Sequence, residues 1–198
     1  MRLDAFLLAG GLSTRMGRDK ALLAIGGRTF LDRVADAVRP VARSIAVVGR
    51  VDRTSGLRGV PDHRPACGPL AGIETALAHA TTPAALVVAC DLPLVSTALV
   101  ELLVARSSEA PGAIVVTEDA DGRLAPLCGV YPVAALGETA RLLDAGERRP
   151  RALLERFPSR VVPFADYAHL PGAPLLLRNV NTPEEYEAAI GSGNDAST

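Results

Sequence analysis

The chain has 198 residues, 48% of them hydrophobic, with 21 Lys and Arg set against 22 Asp and Glu. That length is enough to bury a sizeable core, and the net charge of −1 excludes a general nucleic-acid binder. Three widely separated cysteines (Cys67, Cys90, Cys128) make neither a disulfide framework nor a zinc pattern, and no segment reaches the roughly 18 apolar residues of a membrane span.

In chain order, short runs rich in Val, Ile, Leu and Ala predict strands over 5–8, 44–48, 58–60, 85–89, 113–116 and 126–131. Amphipathic segments between and after them predict helices over 29–38, 70–80, 97–107, 134–145, 150–155 and 183–190. Near-continuous apolar strands bounded by helices specify an α/β fold with a mostly parallel sheet covered on both faces. Ser96 stands at one helix start, and Thr182-Pro183-Glu184-Glu185 reads as a capping box with proline at the first helical position. Asp119-Ala120-Asp121-Gly122 reads as the turn of a hairpin near a sheet edge. One domain is expected over 1–190, with a tail over 191–198 that has nothing to bury. A cytoplasmic location is expected, with no membrane and no nucleic acid as partner.

In an open sheet of this kind, ligands bind beyond the carboxyl ends of the strands. The loop after the first strand, Leu8-Ala9-Gly10-Gly11-Leu12-Ser13-Thr14-Arg15-Met16-Gly17-Arg18-Asp19-Lys20, has glycines that let backbone pass close to a flat or anionic group. It ends in three cations and reads as a nucleoside triphosphate site, although it matches neither the P-loop nor the dinucleotide fingerprint. Asp91, directly after strand 85–89, is either a helix cap or a ligand for Mg²⁺, which takes one or two carboxylates plus phosphate oxygens. Gly68-Pro69-Leu70-Ala71-Gly72 opens a helix whose amide end is expected to face the site, and Asp62 serves either a base edge or its own turn. Asn179 and Asn181 offer amides for polar ring edges, while Arg148 and Arg149 are either an anion clamp or a solvated helix end.

Together these strings resemble the molybdenum cofactor guanylyltransferases, the MobA family. The resemblance rests on Leu8-Ala9-Gly10-Gly11, Arg15-Met16-Gly17, Asp19-Lys20, Gly68-Pro69-Leu70-Ala71-Gly72, Cys90-Asp91-Leu92-Pro93, Gly146-Glu147-Arg148-Arg149 and Asn179-Val180-Asn181-Thr182-Pro183-Glu184-Glu185. It implies a three-layer α/β/α, Rossmann-like nucleotidyltransferase. It implies transfer of GMP from GTP to the terminal phosphate of molybdopterin, with Mg²⁺ as cofactor and molybdoenzymes or their chaperones as further partners. By the same resemblance, GTP meets Leu8, Ala9, Gly10, Gly11, Lys20, Asp62, Pro69, Leu70, Gly72 and Asp91. The resemblance makes Asp91 the expected metal ligand and sets Arg148, Arg149, Asn179 and Asn181 against molybdopterin, while charge makes Arg15, Lys20 and Asp91 the expected catalytic residues. The family often carries an asparagine just after the second strand, where this chain reads Val48-Gly49-Arg50. The same loop and metal would also serve a molybdopterin cytidylyltransferase or another small-molecule phosphate nucleotidyltransferase. A nucleotide- or cofactor-binding module without catalysis is the third reading.

Overall fold

The computed structural model describes residues 2–9, 24–25, 27–49, 56–180, 182 and 184–188. Seven strands form one sheet: β1 (Leu3–Leu8), β4 (Ala42–Val48), β5 (Arg58–Val60), β6 (Ala84–Ala89), β7 (Ile114–Glu118), β8 (Leu124–Pro132) and β9 (Ser159–Val162). Their order across the sheet is β5-β4-β1-β6-β8-β7-β9, and β2 (Ala24–Ile25) with β3 (Arg28–Thr29) forms a separate two-stranded ribbon. β4 and β6 both run parallel to β1, so the chain turns from one side of β1 to the other between β5 and β6. That reversal opens a crevice at the carboxyl ends of β1 and β6.

Alternation along β1 divides its side chains between two cores. Leu3, Ala5 and Leu7 pack with α1 (Phe30–Val38) and α3 (Thr97–Glu109) on one face. Phe6 and Leu8 pack on the other with α2 (Pro69–His79), α4 (Leu136–Asp144) and α5 (Pro150–Arg156). Each fully buried Leu or Val contributes roughly 1.5–3 kcal/mol from removal of apolar surface. Local signals set the ends: Thr29 and Asp32 complete a capping box on α1, and the Ser96 hydroxyl accepts the Leu99 amide at 3.3 Å. Thr182 Oγ1 accepts the Glu185 amide at 3.1 Å, at the start of a short helix over 184–188.

The mostly parallel sheet and the expected hairpin are both present. β8 runs antiparallel to β6 and β7, and the turn closes with Asp119 N–H donating to Arg123 O at 2.8 Å. Gly129 of β8 pairs with Val116 of β7. A Cβ there would meet Val115 O at 2.7 Å and Val116 Cγ1 at 2.8 Å, so only glycine fits. Among the elements not expected from sequence are β9 and the β2–β3 ribbon. The helix expected over 134–145 is divided into a 3₁₀ turn (Val133–Ala135) and α4. Among the described residues, no helix is long and apolar enough to cross a membrane. The tail over 191–198 lies outside the described residues.

Candidate active site

The carboxyl edge of the sheet is tied together by the first amide beyond each strand. Ala9 N–H donates to Val48 O at 3.1 Å, Gly49 N–H to Val60 O at 2.9 Å, and Cys90 N–H to Leu8 O at 3.1 Å. Gly49 has φ 87°, a left-handed conformation that disfavours a side chain at this turn. Leu8 and Ala9 therefore deliver the chain to the crevice between β1 and β6 on a rigid footing. Gly10, Gly11, Arg15 and Lys20, expected in the loop that follows, lie outside the described residues, as does Asn181.

Directly beyond β6, the Asp91 backbone carbonyl accepts the Val180 amide at 2.8 Å. Val180 is fully buried with Phe30 and Tyr186, which anchors the segment carrying Asn179 against the turn carrying Asp91. Both residues line a cavity of about 690 Å³. Its other walls include Leu127 from β8, Arg123 from the β7–β8 hairpin, and Leu177 and Arg178. The sequence reading sets Asp91 against the nucleotide and its metal and Asn179 against molybdopterin; in the structure both line this cavity.

The hairpin wall is self-supporting. Asp119 Oδ1 accepts the amides of Asp121 at 2.9 Å and Arg123 at 2.8 Å, and Asp121 Oδ2 holds the Arg123 guanidinium at 2.8 Å. Behind it, the Tyr167 hydroxyl donates to Glu118 O at 2.5 Å. Burial keeps that phenol protonated by pushing its pKa up. Arg123 and the hairpin carboxylates were not expected at the site, because the sequence reads them only as a turn. Nearby in β8, burial pushes the Cys128 thiol up to about 12, so it packs as a small apolar group.

The second group of expected residues is gathered around α2, apart from the cavity walls. One oxygen of Asp62 accepts the Arg64 amide at 3.2 Å and the Thr75 hydroxyl at 3.2 Å. The turn thus uses that oxygen itself. Arg64 grips the buried Glu74 at 3.1 and 2.9 Å and Asp144 at 2.5 Å, fastening the loop to α2 and α4. Leu70 is fully buried, and its amide donates to Arg148 O at 3.3 Å, so this amide of the α2 start is spent inside the protein. Pro69 occupies the first position of the helix after Gly68, whose φ is 79°. Gly72 allows α2 to press on the end of β1, where a Cβ would meet Leu8 Cδ1 at 3.1 Å.

Arg148 and Arg149 fall on this α2 side and do not line the cavity that holds Asn179. The Arg148 guanidinium donates to Leu143 O at 3.0 Å and Glu147 O at 2.9 Å, closing the C-terminal end of α4. Arg149 makes a two-pronged contact with Glu147 at 3.0 and 2.8 Å. The Arg149 guanidinium, with the Arg149 and Arg148 amides, holds the Glu147 carboxyl down at about 2. Both arginines have structural partners here, the solvated helix end left open from sequence.

Among the described residues, no three His, Cys, Asp or Glu side chains gather as a metal cage. Asp91 lines the cavity together with the hairpin carboxylates Asp119 and Asp121, and a carboxylate there has the chemistry of a ligand for a hard cation that shares its shell with phosphate oxygens.

The MobA-like NTP transferase domain model matches residues 5–161. A molybdenum cofactor guanylyltransferase of Rhizobium meliloti is 37% identical over 196 residues, covering 93% of this chain and 89% of the relative. Among solved structures, molybdopterin-guanine dinucleotide biosynthesis protein A from Archaeoglobus fulgidus superposes with a TM-score of 0.78 at 22% identity, covering 97% of this chain and 99% of the other. The 2-C-methyl-D-erythritol 4-phosphate cytidylyltransferase from Thermus thermophilus superposes at 0.70 and 20% identity, over 98% of this chain and 100% of the other. The last two likenesses concern the fold, which is that of Rossmann-like nucleotidyltransferases. By the extent of the domain match and the identity to its relatives, the chain belongs to the MobA-like NTP transferase family.

Proposed function

We propose that this chain transfers GMP from GTP to the terminal phosphate of molybdopterin, giving the guanine dinucleotide and pyrophosphate. The observation that carries the reading is the cavity at the carboxyl edge, where Asp91 and Asn179 meet beside the end of β1. Its walls combine an apolar floor with guanidinium, amide and carboxylate groups, a lining suited to a flat polar ring bearing an anion. We place the acceptor there and the nucleotide along Leu8, Ala9 and the loop that follows.

An acceptor phosphate oxygen attacks the α-phosphorus of GTP, a new phosphoanhydride bond forms, and the bond to the β-phosphate oxygen breaks. The electron pair leaves with pyrophosphate. No covalent enzyme intermediate is required, because the nucleophile is already an anion, and the protein's task is alignment and charge neutralisation. Asp91 would hold Mg²⁺, which would supply Lewis-acid charge neutralisation at the phosphates. Arg15 and Lys20 neutralise the departing pyrophosphate. Asn179 orients the acceptor ring, and Arg123 and Arg178 balance the acceptor's negative charge.

Pyrophosphate release measured with GTP against CTP, in the presence of Mg²⁺ and molybdopterin, tests the reading. GTP is the expected substrate. Preference for CTP would make the chain a cytidylyltransferase of the same fold, and GTP binding without transfer would make it a binding module.

A further inference from the structure

At the opposite end of the sheet from the candidate active site lies a second concavity of about 270 Å³. Three of its wall residues are arginines from three different segments: Arg39 at the end of α1, Arg43 on β4 and Arg58 on β5. No carboxylate lines it among the described residues. Among the described residues, the acid engaged by the trio is Asp36, whose Oδ1 lies 3.4 Å from Arg39 and whose other oxygen is taken by Arg28. Among the described residues, Arg43 reaches the Thr81 hydroxyl, at 3.5 Å. The Ser44 hydroxyl, also in the wall, already donates to Asp4 at 2.7 Å.

Three like charges in one small concavity repel one another, and this cost is relieved when an anion of opposite charge enters. Guanidinium forks match the oxygens of tetrahedral oxyanions, to which they donate paired, charge-assisted hydrogen bonds. The volume is below the roughly 300–1,000 Å³ of drug-sized ligand pockets, so it suits a compact anion better than a nucleotide. We infer that the concavity bounded by Arg39, Arg43 and Arg58 is a binding site for a free inorganic oxyanion of the phosphate or pyrophosphate class. Such an anion cross-links β4 to the short edge strand β5, which leads directly into the loop carrying Asp62.

The test is a titration of the full-length protein with inorganic phosphate, followed by amide NMR, with sodium chloride at matched ionic strength as control. Pyrophosphate is a second arm. Saturable shifts centred on Arg43, Leu57 and Arg58 are expected with either phosphate species and not with chloride. The double variant Arg43→Gln/Arg58→Gln should weaken binding by about tenfold or more through loss of two charge-assisted contacts, while pyrophosphate release from GTP is unchanged. Equal shifts with chloride, or an unchanged phosphate affinity in the double variant, would overturn the inference. Should the double variant fold poorly, Arg58→Gln alone is read in the same way, with a smaller loss supporting the site and no loss refuting it.

Discussion

Two aspartates mark opposite ends of the β1–β6 pair, and the contrast between them sets a structural role beside the catalytic one proposed. Asp4 enters β1 paired with Ala85 of β6, is 3% exposed, and has both carboxylate oxygens engaged. Ser44 Oγ donates to it at 2.7 Å, Thr81 through its amide at 2.6 Å and its hydroxyl at 2.7 Å, and the Thr82 amide at 3.2 Å. Asp91, just past the other end of β6, is held through its backbone carbonyl and lines a cavity. A carboxylate saturated by protein donors fixes strands in register. The proposed reaction needs its metal-binding acid at a cavity wall instead, which is where the backbone holds Asp91.

Substitution at the two positions should break the comparison in opposite directions. Asp91→Asn is expected to lower GMP transfer by about 10²–10³, the usual loss when one preorganised charge contact is removed, with an unchanged melting temperature. Steady-state pyrophosphate release and a thermal melt on the same sample check both halves. Asp4→Asn is expected to cost about 2–3 kcal/mol of stability, seen as a lower urea midpoint, while folded protein keeps its turnover number.

The pH dependence sharpens the same contrast. Burial alone would push the Asp4 carboxyl up, but the hydrogen bonds from Ser44, Thr81 and Thr82 outweigh it and hold the group below the ordinary aspartate range. A depressed folded-state pKa gives stability that is fully present above the unfolded value, near 4, and is lost as pH falls through the folded one. The wild-type urea midpoint should therefore drop below about pH 4, and Asp4→Asn should flatten that decline. A decline of the same slope in the variant would assign acid sensitivity to other groups.

Smaller effects test the cavity walls. Arg123→Ala and Arg178→Ala should each raise the KM for the acceptor by about tenfold and leave that for GTP unchanged, as expected for removal of one charge-assisted contact. Gly72→Ala should be nearly neutral in stability, because about 1 kcal/mol of helix preference offsets crowding against Leu8. It should still raise the KM for GTP severalfold, since Leu8 must shift. An unchanged KM would remove Leu8 from the nucleotide site.

The alternation of apolar runs with amphipathic segments made the order of strands and helices legible, since burial on both faces leaves the same signature in every central strand. β9 escaped because three of its four residues are exposed at a sheet edge, leaving almost no apolar pattern. Asp91 and Asn179 were legible as strand-end and pre-helix polar residues. Arg123 was not, because its place at the cavity depends on β8 running antiparallel to β6, a pairing between distant segments. Arg148 and Arg149 read from sequence as either an anion clamp or a solvated helix end, because their partners within the protein were not legible. The Glu147 carboxylate and the carbonyl of Leu143 are contacts that spacing along the chain does not reveal.

The most direct measurement is mass analysis of the product formed from GTP, Mg²⁺ and molybdopterin by the wild-type chain and by Asp91→Asn. Molybdopterin guanine dinucleotide and pyrophosphate are expected in equal amounts from the wild type, and almost none from the variant. Equal yields from the two proteins, or a wild-type reaction that leaves molybdopterin unmodified, would contradict it.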